Sequence, residues 1–169
     1  SGDTFTVDNT APTAEITYNY AGPYRNGESN VTITATFNED MKDAPVPKII
    51  ITGAGIASVT SSDMTKVSAT EYTYDYTIPV GDGTGTVTLS TGTDLAGNTI
   101  TTAPTSGNIF TVDNTAPTIS STSLSADNNT ITVTFSENVY NAADDTRTNL
   151  ETSDSVSYTH LRAHETEEN

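Results

Sequence analysis

The nonapeptide FTVDNTAPT occurs twice, at Phe5–Thr13 and at Phe110–Thr118, 105 positions apart. A string of this length, repeated at the span of a small domain, marks a tandem array in which each copy occupies the same junction. The chain has 169 residues, so it holds one full period and a remainder. The remainder after residue 118 is too short to bury a core alone.

Inside the full period, apolar residues alternate with threonines. VTITATF sets Val31, Ile33, Ala35 and Phe37 on one face. EYTYDYTI puts Tyr72, Tyr74, Tyr76 and Ile78 in phase, and TVTLS does the same with Val87 and Leu89. This period of two is the signature of half-buried strands. Further strands are predicted at Ile16–Tyr20, over the apolar run PKIIITG, and at the end of the period through Phe110 and Val112. Ile56–Thr60 and Met64–Ala69 are weaker candidates. GDGTG at Gly81–Gly85 reads as a tight turn. Composition agrees, since 35 of the residues are threonine and there are eight tyrosines, types that fit a pleated surface.

About seven strands in roughly 100 residues is the pattern of an immunoglobulin-like sandwich. With no cysteine and no tryptophan, its core must rest on aliphatics, Phe and Tyr. Phe37, Ile49 or Ile51, Tyr74, Leu89 and Phe110 are the expected buried residues. The fold class expected is therefore all-β: an immunoglobulin-like β-sandwich in tandem repeat, with the second copy incomplete. Residues 1–10 form the last strand of a preceding repeat and a joint, and 11–114 one whole domain. Residues 115–154 hold the first two or three strands of the next. TATFNEDM at Thr34–Met41 realigns there with TVTFSENV at Thr132–Val139. The final segment, SVSYTHLRAHETEEN, resembles translated adapter sequence. Residues 155–169 are set apart as a non-native or disordered tail, and with them His160 and His164, which stand one helical turn apart.

The net charge is −16 with only six Lys and Arg. Phosphate binding needs clustered cations, so a nucleic-acid partner is excluded. No run is long and apolar enough for a membrane span, and no membrane insertion is expected. No nucleophile-and-base arrangement is recognisable, so the chain is not expected to be an enzyme.

The acids can be sorted by topology. Asp8 and Asn9 lie at the first joint, Glu39 and Asp40 at the corner after VTITATF, and Asp94 and Asn98 in the loop TGTDLAGN. In a sandwich these three places share one pole. Asp82, Asp113 and Asn114 gather at the opposite pole, where Glu137 of the second copy adds a further carboxylate. Oxygen donors converging from several loops suit Ca²⁺, which takes six to eight of them. The competing reading is ordinary turn chemistry, in which Asp and Asn bond their own backbone and Gly97 supplies positive φ.

FTVDNTAPT, DLAGN and VTFSENV resemble the tandem bacterial Ig-like repeats of large surface adhesins. That resemblance implies a structural spacer in a stalk, with Ca²⁺ at or near the module junctions and neighbouring repeats of the same chain as partners. It implies an extracellular or cell-surface location, and a host-surface or glycan ligand reached through the parent protein. The alternative is a carbohydrate- or protein-binding Ig-like module whose loops contact the ligand.

Overall fold

Segments whose side chains alternate between threonine and aliphatic residues have one apolar face, and two such faces must meet to exclude water. The computed structural model describes residues 2–139 and is all-β, with ten strands and no helix among them. No helix among these residues is long and apolar enough to cross a membrane. The chain divides into two units, one ending at Thr115 and the other beginning at Ala116.

In the first unit, β1 (Ala14–Tyr18), β2 (Val31–Phe37), β3 (Lys48–Thr52), β4 (Val59–Asp63), β5 (Thr65–Lys66), β6 (Glu71–Tyr76), β7 (Gly83–Ser90) and β8 (Ile109–Val112) form two antiparallel sheets. One has the order β1-β2-β6-β5, the other β4-β3-β7-β8. Both contribute to one buried core. Ile33 and Phe37 of β2, Ile49 and Ile51 of β3, and Val87 and Leu89 of β7 lie in it. The arrangement is sandwich-like.

Several expectations needed correction. Eight strands form, the two weaker candidates of the middle region among them, but with bounds shifted to Val59–Asp63 for β4 and Thr65–Lys66 for β5. Lys48 of β3 and Asp63 of β4 pair at 2.7 Å across that edge. Strand β1 ends at Tyr18, short of Tyr20. GDGTG is only half a turn, since β7 begins at Gly83. Gly85 lies within that strand, where a side chain would not fit, since a Cβ there would lie 2.3 Å from the Phe110 ring. Both Ile49 and Ile51 are buried, whereas Tyr74 is only half-buried against the core. Residues 4–7 form no strand, and Phe5 and Val7 are 86 % and 69 % exposed. A strand is held by its ladder, and no strand among the described residues pairs with this segment.

β8 and the segment before it are bonded to β1 and to the loop that follows β1. Ile16 N–H donates to the Ser106 carbonyl at 3.0 Å, and Tyr24 N–H donates to that of Thr111 at 2.9 Å. Between these bonds the edges part, leaving a groove of about 680 Å³ lined by Tyr18, Tyr20, Tyr24, Ile109 and Phe110 among others.

In the second unit, β9 (Ile119–Leu124) and β10 (Ile131–Phe135) pair antiparallel. Ile131, Val133 and Phe135 are 64 %, 42 % and 36 % exposed. This hairpin closes as β1 and β2 do. Thr13 N–H donates to Asn38 Oδ1 and Asn38 N–H to the Thr13 carbonyl. Likewise Thr118 N–H donates to Ser136 Oγ and Ser136 N–H to the Thr118 carbonyl. The tail assigned to residues 155–169, and the stretch 140–154 before it, lie outside the described residues.

Candidate cation site

Three segments meet where the chain enters the first unit. The joint is fixed by the Thr13–Asn38 pair of bonds, at 2.8 and 3.0 Å, which brings it to the corner after β2. That corner is tied in turn to the loop after β7. Lys42 N–H donates to the Thr93 carbonyl at 2.9 Å, and Met41 bridges Asp94. Asn98 Nδ2 donates to the Asp8 carbonyl at 3.1 Å, closing the loop back onto the joint. Asp8, Glu39 and Asp94 are thereby gathered, with one carboxylate oxygen of each within 4.8 Å of the others.

The three carboxylates differ in their surroundings. Asp94 is only 1 % exposed. Its Oδ1 accepts the Gly97 N–H at 2.6 Å and the Asn98 N–H at 2.8 Å, while Oδ2 accepts Asn98 Nδ2 at 2.7 Å. Burial alone would push its pKa up, but these donors outweigh it and hold the carboxyl below its usual range. Gly97, at φ 103°, allows the turn that aims its N–H inward. The turn chemistry expected here is therefore present, and Asp94 shapes the loop as well as charging it. Asp8 Oδ1 accepts the Thr10 N–H at 2.9 Å and its side chain is exposed.

Glu39 is half-buried and lacks such compensation. Desolvation, then the charges of Asp8 and Asp94, push its carboxyl above the usual range. A carboxyl raised on folding costs no stability below its unfolded-state value, and the cost grows as pH rises through the folded-state value. Glu39→Gln is therefore expected to raise the melting temperature by a few degrees at pH 7 in EDTA, and to have no effect at pH 3. Thermal denaturation followed by circular dichroism at the two pH values checks this.

Oxygen ligands at 2.3–2.6 Å from one Ca²⁺ stand within about 5 Å of each other, and the three carboxylates meet that spacing. They are hard oxygen donors, and three carboxylates this close carry negative charge that a cation would offset. The residues fit a hard divalent cation.

The other expected residues are distributed differently. Asn98 joins the group through its hydrogen bonds, but Asn9 and Asp40 are outside it. At the opposite pole Asp82 is a clamp for the chain. It accepts the Asn114 N–H and the Thr115 hydroxyl, which hold its carboxyl below the usual range. Asn114 Nδ2 also donates to the Gly81 carbonyl at 2.6 Å, and Asp113 Oδ1 accepts the Thr115 N–H at 3.0 Å. Glu137 belongs to the second unit. Among the described residues no other three acidic groups approach as Asp8, Glu39 and Asp94 do.

The tyrosine groove was missed, because the sequence drew attention to the strand tyrosines of β6. All three of its tyrosine hydroxyls donate to main-chain carbonyls, Tyr18 to Gly107, Tyr20 to Ser29 and Tyr24 to Tyr20. The rings line the groove while these donors are occupied. No family model, curated protein or solved structure matches the chain.

Proposed function

We propose that the chain is a spacer from a repetitive bacterial surface protein, non-catalytic, with immunoglobulin-like units whose joints are stiffened by Ca²⁺. The observation that carries this reading is the meeting of Asp8, in the joint, with Glu39 and Asp94, in the body of the unit. Two further features support it. The repeated string lies at both ends of the first unit, and the β9–β10 hairpin closes as β1–β2 does.

Asp8, Glu39 and Asp94 would hold the ion, whose charge offsets the repulsion among them. The joint is already tied by Asn38 and Asn98, so neutralising the acids removes the force that opens it. Millimolar calcium outside cells would keep the stalk extended. Small-angle scattering from two complete units in tandem tests this. The maximum dimension should be longer and more sharply defined in Ca²⁺ than in EDTA, and an unchanged distribution would contradict the stiffening.

The groove between β1 and β8 favours a second reading, a binding module. The half-buried rings of Tyr18 and Tyr20 suit the apolar face of a sugar or a peptide side chain. Its position differs from the loops at the pole that the sequence favoured.

A further inference from the structure

Four aromatic rings meet at the groove between β1 and β8. Tyr18 comes from the end of β1 and Phe110 from β8, while Tyr20 and Tyr24 stand on the connection between β1 and β2. The Tyr24 hydroxyl closes that connection by donating to the Tyr20 carbonyl at 2.8 Å. The ring centroids of Tyr18, Tyr24 and Phe110 lie 5.9, 6.0 and 6.1 Å from one another, and Tyr20 meets Tyr24 at 5.1 Å with the planes at 88°. Rings set at such angles form walls rather than a stack. No residue lining the groove is charged, and Tyr18 and Tyr20 are only half-buried.

We propose that this groove binds a choline-sized quaternary ammonium cation, held against the rings of Tyr18 and Tyr20 with Tyr24 and Phe110 beneath. The inference deepens the binding-module reading and rests on it. A cation within about 6 Å of a ring centroid is attracted by the negative face of the ring, and centroids this close place several rings within reach of one cation. Each tyrosine hydroxyl gives its proton to a main-chain carbonyl, which leaves the ring richer in electrons. Burial, and then Tyr24, push the Tyr18 phenol above its usual range, so it is a neutral ring at pH 7. An ammonium with N–H groups brings donors that need acceptors. A quaternary ammonium has none and presents methyl groups, which suit an apolar wall. A sugar needs several directed polar partners, whereas Thr17 and Thr111 are the polar side chains that the lining offers besides the tyrosines. Charge agrees. The chain carries −16, Asp113 N–H donates to the Tyr24 carbonyl at 2.9 Å, and Arg25, next to Tyr24, is paired with Glu28 at 3.9 Å.

The test is titration of the full chain, followed by proton NMR of the ligand. Choline should bind saturably, with its methyl signal moved upfield by the ring currents. Its neutral isostere 3,3-dimethylbutan-1-ol should bind roughly tenfold more weakly, and so should ethanolamine, whose N–H groups hold water. Phosphocholine should also be weaker than choline, because its phosphate meets an acidic protein with no cation lining the groove. Tyr20→Leu should weaken choline binding roughly tenfold, and Tyr20→Phe, which keeps the ring, far less. The ligand series uses the unaltered chain and does not depend on the variants folding. An isostere that binds as tightly as choline, phosphocholine that binds more tightly, or the absence of saturable choline binding overturns the proposal. In the last case, binding of methyl glucoside would leave the binding-module reading standing, and silence from both ligands would remove that reading too.

Discussion

Leu89→Ala is expected to lower the melting temperature of the first unit by about 8–40 °C. Leu89 is 1 % exposed, on β7, the strand that pairs with both β3 and β8. Truncating a buried leucine removes its transfer energy and leaves a cavity that relaxes only in part, at a cost of about 2–5 kcal/mol. In a domain near 100 residues each kcal/mol moves the midpoint by about 4–8 °C. Val80→Ala, at a side chain 82 % exposed, is the control, and its effect should stay within about 0.5 kcal/mol. Urea denaturation of both variants checks the contrast. Similar midpoints for the two would mean that β7 does not run through the core.

The strands that were legible in the sequence are those with two faces of opposite character. Val31–Phe37 and Val87–Ser90 alternate because one side meets the core and the other meets water. The short edge strands β4 and β5 carry VTSSD and TK, which have little apolar face to reveal them. Thr4–Val7 shows the limit most clearly. Its residues read as a strand, and in the second copy they are one, yet here they have no ladder among the described residues. Propensity is local, whereas a strand is made by its neighbour.

The cation site was legible in part for a similar reason. Sorting loops by pole brought Asp8, Glu39 and Asp94 together, because topology decides which loops are neighbours. It could not divide the joint residue by residue. Asn114 and Thr115 serve the unit that the chain is leaving, through Asp82, whereas Asp8 serves the unit it enters, through Asn98. Asn9, the counterpart of Asn114, therefore falls outside the acidic group. The turn chemistry at Asp94 was legible as well, but its burial was not. Asp94→Ala would disturb its loop whether or not an ion binds. Asp8 and Glu39 are the sharper probes, since no loop depends on Glu39 and Asp8 holds only the Thr10 N–H.

The most direct measurement is calorimetry of the full chain in EDTA, in 10 mM Ca²⁺ and in 10 mM Mg²⁺. A ligand that binds only the folded state at about a hundred times its dissociation constant stabilises by about 2.7 kcal/mol. Extracellular modules bind Ca²⁺ with constants near 10⁻⁴–10⁻³ M at the weak end of the range, so 10 mM should raise the transition of the first unit by about 10 °C at the tight end of that span. Mg²⁺ should raise it far less, since it demands a near-ideal octahedron and gives up water reluctantly. Asp8→Asn combined with Glu39→Gln should abolish the calcium shift, while raising the midpoint in EDTA because two mutually repelling charges are gone. A transition that Ca²⁺ does not move, or that Mg²⁺ moves equally, would contradict the calcium joint and leave Asp8, Glu39 and Asp94 as turn and corner carboxylates without an ion.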